Sequence, residues 1–142
     1  MRMKGLQLDN PTGSQLCTIL EQAKTIAVVG ISRNELRTSR QIADFLVEGG
    51  YKVAGVNPAK PDIKGIPVYE SLNEIPFKVD IVDVFRRREF IPELIDDVIK
   101  IQPKVFWLQL GIRNDEAVKI LFDHNITVVQ DTCIAIQHNH CF

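Results

Sequence analysis

The chain has 142 residues, with 17 lysines and arginines against 18 aspartates and glutamates, which gives a formal net charge of -1. A hydrophobic content of 45% and a charged content of 25% are typical of a folded globular chain and exclude a disordered or collagen-like one. The balanced charge also argues against a nucleic-acid-binding module, which normally carries a basic excess on at least one face. A small-molecule ligand is compatible with this composition.

The length predicts a single domain over residues 1–142. Its longest apolar runs fall far short of the roughly 20 residues that cross a bilayer, so we expect no membrane segment. Positions 1–4 carry the charge of a secretory leader, but Gln7 and Asp9 interrupt the hydrophobic stretch that should follow. We therefore expect a protein that is not secreted.

The cysteines bear on the compartment. There are three of them, an odd number at wide spacing, which suits a reducing compartment better than a disulfide framework. They are Cys17, Cys133 and Cys141. The sequence therefore predicts a cytoplasmic protein.

Helical and strand patterns alternate along the chain. A leading helix is predicted over residues 14–23 with Ser14 as its cap, and a continuous β-branched run over 25–30 predicts a buried strand. A helix over 40–48, capped by Thr38 or Ser39, follows. The remaining predicted strands are 51–56, 66–69, 79–85, 104–110 and 126–129, with helices near 91–98 and 114–122. This alternation predicts a doubly wound, Rossmann-like α/β fold with a core over 24–138 and a mostly parallel sheet in strand order 3-2-1-4-5-6.

Ligands of such sheets bind beyond the carboxyl ends of the strands, where the strand order reverses. Four segments are expected at these ends, namely 30–34, 56–60, 85–88 and 108–114. In the predicted order, the loops at Gly30 and Phe85 border one crevice. We expect Arg33, Arg37 and Arg86 to converge on it, with Arg87 as a further candidate.

The segment after the first strand has the features of a phosphate site. Gly30 permits a tight turn, and Ser32 and the amides of the following helix can donate hydrogen bonds to a phosphate. The pattern lacks the second and third glycines of the dinucleotide fingerprint, so a glycine that merely ends a strand is the alternative. Nicotinamide enzymes usually carry an acidic residue after the second strand, where this chain has Asn57 and Pro58. A ribose that carries a negative charge fits a lysine such as Lys60 better than it fits the acidic residue of the nicotinamide enzymes.

Four segments carry a resemblance to a known family. They are VVGIS at 28–32, VNP at 56–58, VDVFRR at 82–87 and WLQLGIRN at 107–114. In this order they resemble the successive signatures of the small coenzyme A-binding proteins, which are similar to the amino-terminal domain of the succinyl-CoA synthetase α-subunit. The similarity covers residues 14–138, nearly the whole chain.

The resemblance implies a Rossmann-like domain that binds coenzyme A (CoA). It implies that the pyrophosphate lies near residues 32–34, that Lys60 contacts CoA, that residues 84–86 border the adenosine and that residues 108–110 lie along the pantetheine. The candidate binding residues are Gly30, Ser32, Arg33, Asn34, Arg37, Asn57, Pro58, Lys60, Val84, Phe85, Arg86, Leu108, Gln109 and Leu110.

The sequence also departs from the relatives of this family. The synthetases carry a phosphorylated histidine in a second domain and bind nucleotide on a grasp-type domain, and a chain ending at Phe142 has room for neither. A related redox-sensing repressor has a winged-helix domain first, and the residues before the first strand here are too few for it. We expect neither ligase activity nor DNA binding.

Some residues have a structural reading beside a functional one. An ionised Asp83 inside an apolar strand is costly unless it is paired, so we expect it to anchor Arg86 or Arg113. Three consecutive arginines at 86–88 lie at the start of a predicted helix, where positive charge is unfavourable unless an anion is bound. We expect Arg86 to contact the ligand and Arg88 to lie in solvent. Trp107 is expected in the core.

Four residues near the end of the chain are of types that bind metals, but their spacing matches no usual zinc site. We therefore expect a frayed tail and no metal site. These residues are Cys133, His138, His140 and Cys141. Cys133 follows the last strand and could return toward the crevice, whereas His124 is expected at the surface. No nucleophile and base, and no pair of carboxylates, can be assembled into a catalytic site.

The expected function is a stand-alone, non-catalytic module that binds CoA or an acyl-CoA, as a sensor, a carrier or a subunit of a larger system. One alternative is an NAD(P)-binding oxidoreductase-type enzyme. Another is an interaction module that has lost its ligand. A homo-oligomer or a protein partner is compatible with each of them.

Overall fold

The computed structural model describes residues 9–142, so the interpretation of positions 1–4 and Gln7 lies outside the described residues. Six strands form one sheet, and every pairing between them is parallel. The strands are β1 (Thr25–Val29), β2 (Lys52–Val56), β3 (Val68–Tyr69), β4 (Ile81–Val84), β5 (Val105–Leu108) and β6 (Thr127–Val129). Their order is β3-β2-β1-β4-β5-β6. The predicted fold class and strand order are confirmed.

Helices lie on both faces of this sheet. The α-helices are α1 (Gly13–Gln22), α2 (Thr38–Glu48), α3 (Ile95–Ile101), α4 (Asp115–Val118) and α5 (Ile134–Cys141). Short 3-10 helices occupy Leu72–Glu74, Arg88–Leu94 and Lys119–His124. No helix within residues 9–142 is long and apolar enough to cross a membrane.

The strands are apolar throughout because both faces of the sheet are covered. Alternate strand residues pack into two separate cores: Val28 and Trp107 belong to one, and Ala27 and Phe106 to the other. The first core is completed by α1, α2 and α5. The second is completed by α3, α4 and the 3-10 helices. Trp107 is fully buried, as expected.

The start of α1 differs from the prediction by two residues. Thr12, not Ser14, is the N-cap. Its hydroxyl accepts a hydrogen bond from the Gln15 amide at 3.3 Å, and the Gln15 side chain accepts one from the Thr12 amide at 2.8 Å. This reciprocal capping box satisfies two amides that the first turn of a helix leaves unpaired.

The helices predicted after β4 and β5 are only partly α-helical. The segment after β4 begins as the 3-10 helix Arg88–Leu94, which contains Pro92, and becomes α-helical at Ile95. The one after β5 ends as the 3-10 helix Lys119–His124. Apolar spacing does not separate the two helix types over so few residues.

The prediction of a frayed tail is wrong, because α5 runs to Cys141. The indole of Trp107 donates to the carbonyl of Thr132 at 2.8 Å, and the Ile134 amide donates to the Gln109 side chain at 3.1 Å. These bonds fix the start of α5. A disulfide between Cys17 and Cys141 fixes its end. The expectation that the cysteines form no disulfide framework is therefore wrong for this pair, and Cys133 is free.

Candidate functional site

The strand order reverses between β1 and β4, the two central strands of the sheet. Val29 and Val84 pair at their carboxyl ends, so Gly30 and Phe85 leave the sheet side by side. The Phe85 amide donates to the carbonyl of Val29 at 2.8 Å, and the Gly30 amide donates to that of Val56 at 2.9 Å. The loops after β1, β2 and β4 therefore meet at one edge, as the sequence predicts.

Gly30 is required by both its conformation and its surroundings. Its φ is +86°, and a Cβ at this position would lie 2.7 Å from the carbonyl oxygen of Phe85. Only glycine adopts this backbone without strain and allows the Phe85 carbonyl to approach so closely. The backbones of Gly30 and Phe85 thus pack directly against each other at the floor of the crevice.

Internal hydrogen bonds order the loop between β1 and α2. The Ser32 amide donates to the hydroxyl of Ser39 at 3.1 Å, and the Asn34 amide donates to the hydroxyl of Ser32 at 3.1 Å. Arg40 donates to the Arg33 carbonyl at 2.7 Å. The backbone amide of Ser32 is thus already paired, but the hydroxyl hydrogen of the Ser32 side chain can still be donated to a ligand. The prediction that Thr38 or Ser39 is the N-cap of α2 is wrong, because the N-cap is Arg37. Ser39 is instead buried and orders this loop.

Asn57 joins the loop after β2 to the loop after β1. Its side-chain nitrogen donates to the Ile31 carbonyl at 2.9 Å, and its side-chain oxygen accepts from the Ala59 amide at 2.9 Å. These two bonds use the amide group within the protein. Asn57 therefore acts on the crevice mainly by positioning both loops.

A first cavity of about 500 Å³ opens between these loops. Of the sequence-predicted residues, Gly30, Asn57, Pro58, Phe85 and Arg86 line it. The wall opposite is acidic and was not predicted; its polar residues are Glu70, Ser71, Glu93 and Asp97. The first cavity therefore combines one guanidinium with three carboxylates.

The position of Arg86 is fixed from two sides. Its guanidinium lies 4.0 Å from Glu93 and 4.9 Å from the centre of the Phe90 ring. Both contacts are half-exposed, so each contributes little to stability. Their effect is to hold the cation at the boundary of the crevice.

A second cavity of about 630 Å³ lies on the other side of Phe85 and Arg86, which line both cavities. Gln109 and Leu110 line this second cavity, as do Arg87 and Arg88. Arg88 is exposed to solvent, as expected, and also borders this cavity. Cys133 and Ile136, at the start of α5, complete the wall, so Cys133 does return toward the crevice.

The other predicted residues lie elsewhere. The exposed Arg33 and Arg37, together with Ser32 and Asn34, border the β1 loop and line neither cavity. Of the four arginines predicted to converge on the crevice beside Gly30, only Arg86 lines the first cavity, and Arg87 lines the second. Lys60 lines a separate cavity of about 390 Å³. Val84 and Leu108 are fully buried and line neither cavity.

Asp83 is not the anchor that the sequence suggests. Arg86 pairs with Glu93, and Arg113 pairs with Asp115 at 3.0 Å. Both carboxyl oxygens of Asp83 are buried without a hydrogen-bond partner among the residues described. Burial raises the pKa of Asp83 well above its ordinary value. The carboxyl group therefore stays protonated up to a higher pH than that of an exposed aspartate does.

No group of three or more histidine, cysteine or acidic side chains within residues 9–142 is arranged to hold a metal ion. His138, one of the residues of the tail, packs instead against aromatic rings. Its ring centre lies 5.4 Å from that of Phe45, 5.9 Å from that of Tyr51 and 4.7 Å from that of Phe142. These contacts attach α5 to α2.

Comparison with known proteins identifies the family. Residues 24–139 match the family described as the CoA binding domain. The chain is 37% identical over 131 residues to the uncharacterized protein YneT of Bacillus subtilis, covering 92% of this chain and 97% of that protein. It is 25% identical over 126 residues to the ADP-forming acetate–CoA ligase II subunit alpha of Pyrococcus furiosus, covering 81% of this chain but only 28% of the subunit.

Solved structures have the same fold. A Thermus thermophilus protein superposes with a TM-score of 0.89 at 35% identity, covering 93% of this chain and all of that one. A protein of Pyrococcus horikoshii superposes with a TM-score of 0.88 at 30% identity, covering 99% and 96% of the two chains. The resemblance carried by the four sequence segments is confirmed, and the chain belongs to the CoA binding domain family.

Proposed function

We propose that this chain binds CoA or an acyl-CoA as a stand-alone, non-catalytic module. The observation that carries the proposal is the position of Phe85 and Arg86, which stand between two cavities at the reversal of the sheet. A long ligand with a charged centre can occupy both cavities and meet Arg86 between them. CoA has this form, with a nucleotide at one end, a pyrophosphate within it and a pantetheine arm at the other.

In this proposal the nucleoside occupies the first cavity. The carboxylates of Glu70, Glu93 and Asp97 accept hydrogen bonds and would repel phosphates. They therefore suit the hydroxyl and amino groups of a nucleoside. Pro58 and Phe85 provide the apolar surface on which a base can lie.

The phosphates would lie toward the cations and the start of α2. Arg86 lines both cavities, the Ser32 hydroxyl is free to donate, and the first amides of α2 favour an anion. The family resemblance assigns Arg33 and Asn34 to the pyrophosphate and Lys60 to CoA, and Arg37 is a candidate because it lies in the loop after β1. Their exposed side chains would have to turn toward the ligand.

The pantetheine would follow the carboxyl end of β5 into the second cavity. Gln109 accepts from the Ile134 amide through its oxygen, which leaves its side-chain nitrogen to donate to a ligand amide. Leu110 offers an exposed apolar side chain, whereas the fully buried Val84 and Leu108 would support the site from the core.

Neither alternative function gains support. An NAD(P)-binding enzyme needs a ribose-binding acidic residue after β2, where Asn57 is used to join two loops. The acetate–CoA ligase subunit contains a domain similar to this chain, and we propose a role as a sensor, a carrier or a subunit of a comparable system. The ligase reaction itself is not part of the proposal.

A cytoplasmic location is also a proposal. The Cys17–Cys141 disulfide bears directly on it, because disulfides persist in oxidising compartments and are rare in the cytosol. Alkylation of thiols in acid-quenched cells, followed by mass spectrometry, measures the fraction of this pair that is reduced. A reduced pair supports the cytoplasm, and a fully oxidised pair argues against it.

Calorimetric titration with CoA, dephospho-CoA, acetyl-CoA and NAD tests the function. We expect CoA to bind more tightly than dephospho-CoA and NAD. Arg86→Ala should cost about 1.5–3 kcal/mol of binding free energy, the value of a charge-assisted hydrogen bond. The matched control is Arg113→Ala, which removes an arginine that lines neither cavity. Tighter binding of NAD, or equal affinities in the two variants, would overturn the proposal. Native mass spectrometry of the same samples reads the oligomeric state.

A further inference from the structure

The second cavity has a lining that a nucleotide does not require. Leu110, Ile112 and Ile136 contribute to its wall, and Leu110 and Ile136 are 65% and 54% exposed. Large apolar side chains normally avoid water. Where several of them converge on a concave surface, that surface is suited to an apolar group of a ligand.

This apolar wall is continuous with the proposed phosphate position. Arg86 and Arg87 stand at one side of the second cavity, and Arg86 also faces the first. A molecule held by its negative charge at Arg86 could therefore extend an apolar end toward Ile136. The shape and charge of this region fit an anion with an apolar tail.

We propose that the second cavity binds the acyl chain of an acyl-CoA, so that the protein distinguishes acyl thioesters from free CoA. This inference rests on the proposed function, because the nucleotide must occupy the first cavity and the pantetheine must enter the second for the acyl chain to reach the apolar wall. The volume of about 630 Å³ is within the range of small-molecule sites. Ile136, on α5, lies where the chain would end.

S-alkyl thioethers of CoA test the inference, because a thioether cannot transfer its chain to the thiol of Cys133. We expect affinity to rise from S-ethyl-CoA through S-butyl-CoA to S-hexyl-CoA, by about fourfold for each methylene that is fully buried. Calorimetric titration measures this series against free CoA.

Two variants of Ile136 keep an acyl chain from the apolar wall in different ways. Ile136→Asp places a charge in it, and Ile136→Trp fills the space. Both should abolish the dependence of affinity on chain length, which is measured in each variant as the ratio of its affinity for S-hexyl-CoA to its affinity for free CoA. The control is Ile120→Asp, a similarly exposed isoleucine on the 3-10 helix Lys119–His124, which lines neither cavity and should retain the dependence.

Cys133 gives a second readout at the same place. It is the free cysteine of the chain and lines the second cavity. S-hexyl-CoA should slow its alkylation by iodoacetamide several-fold more than free CoA does, as followed by mass spectrometry. Binding of CoA without any effect of chain length would overturn this inference alone. Failure of every compound to bind would overturn the proposed function and this inference with it.

Discussion

Cys17 in α1 is bonded to Cys141 at the end of α5, across a sequence separation of 124 residues. Such a link restricts the unfolded chain strongly, because the loop that it closes is long. Cys133 is the N-cap of α5 and Ile136 lies in its first turn, and both line the second cavity. The disulfide therefore holds the far end of a helix that shapes the candidate site.

Replacing both half-cystines, in Cys17→Ser with Cys141→Ser, should lower the free energy of unfolding by about 2–5 kcal/mol. Urea denaturation measures this change. A reductant should destabilise the parent protein similarly and leave the double variant unaffected. Cys133→Ser, which removes the free thiol, is the control and should cost less than about 1 kcal/mol. Equal stability of parent and double variant would show that the bond adds nothing.

Gly30→Ala should disturb both the sheet edge and the site. The added Cβ would meet the Phe85 carbonyl at 2.7 Å on a backbone with φ of +86°. Gly65 is a matched control, because its φ is +82° and a Cβ there would have nothing within 4 Å. Left-handed backbone costs about 1–2 kcal/mol in each variant, and the contact with Phe85 should make Gly30→Ala the less stable by a further 1 kcal/mol or so. Thermal unfolding of the pair measures the difference, and equal losses would mean that the Phe85 carbonyl simply moves away.

Much of the fold is predictable because the strands are buried on both faces. Uninterrupted β-branched runs are typical of strands in a parallel sheet that is covered on both faces. Amphipathic helices between them favour right-handed crossovers. The helix α5 is different, since Ile134, Ala135 and Ile136 are consecutive and mark no helical face. Its place depends on Trp107, Gln109 and the disulfide, all distant in the sequence. Local pattern contains no signal for such contacts.

Part of the candidate site was also predictable from the sequence. Reasoning from the ends of strands locates Gly30, Asn57, Phe85 and Arg86, because parallel strands bring those ends to one edge. It omitted the end of β3, a strand of two residues, and with it the acidic side of the first cavity at Glu70. Attention to that strand end would have found Glu70 and Ser71. Ile136 could not be found, because α5 itself was not predicted.

The buried Asp83 should make stability depend on pH in a defined direction. Burial raises the pKa of Asp83 in the folded state above its unfolded value. The contribution of the protonated group is therefore complete below the unfolded pKa, and is lost as the pH rises toward the folded pKa. Asp83→Asn cannot ionise, so it should flatten this decline in the free energy of unfolding between acidic and neutral pH.

The measurement is a set of urea denaturations across that pH range. Asp123→Asn, at an exposed aspartate, is the control and should retain the pH dependence of the parent. If Asp83→Asn and the parent show the same slope, then Asp83 is ionised in the folded protein and has found a partner.

Ser39→Ala should loosen the loop that we assign to the phosphates. The Ser39 hydroxyl is buried and accepts from the Ser32 amide at 3.1 Å, and the Ser32 hydroxyl in turn accepts from the Asn34 amide. Removing the first acceptor leaves a partly buried amide unpaired, which costs about 1–3 kcal/mol. Hydrogen exchange should show that the Ser32 amide loses protection, and the affinity for CoA should fall because the loop is no longer ordered before binding. Ser14→Ala, at an exposed position in α1, should change neither quantity. A Ser39→Ala protein with an undiminished affinity for CoA would place the phosphates away from this loop.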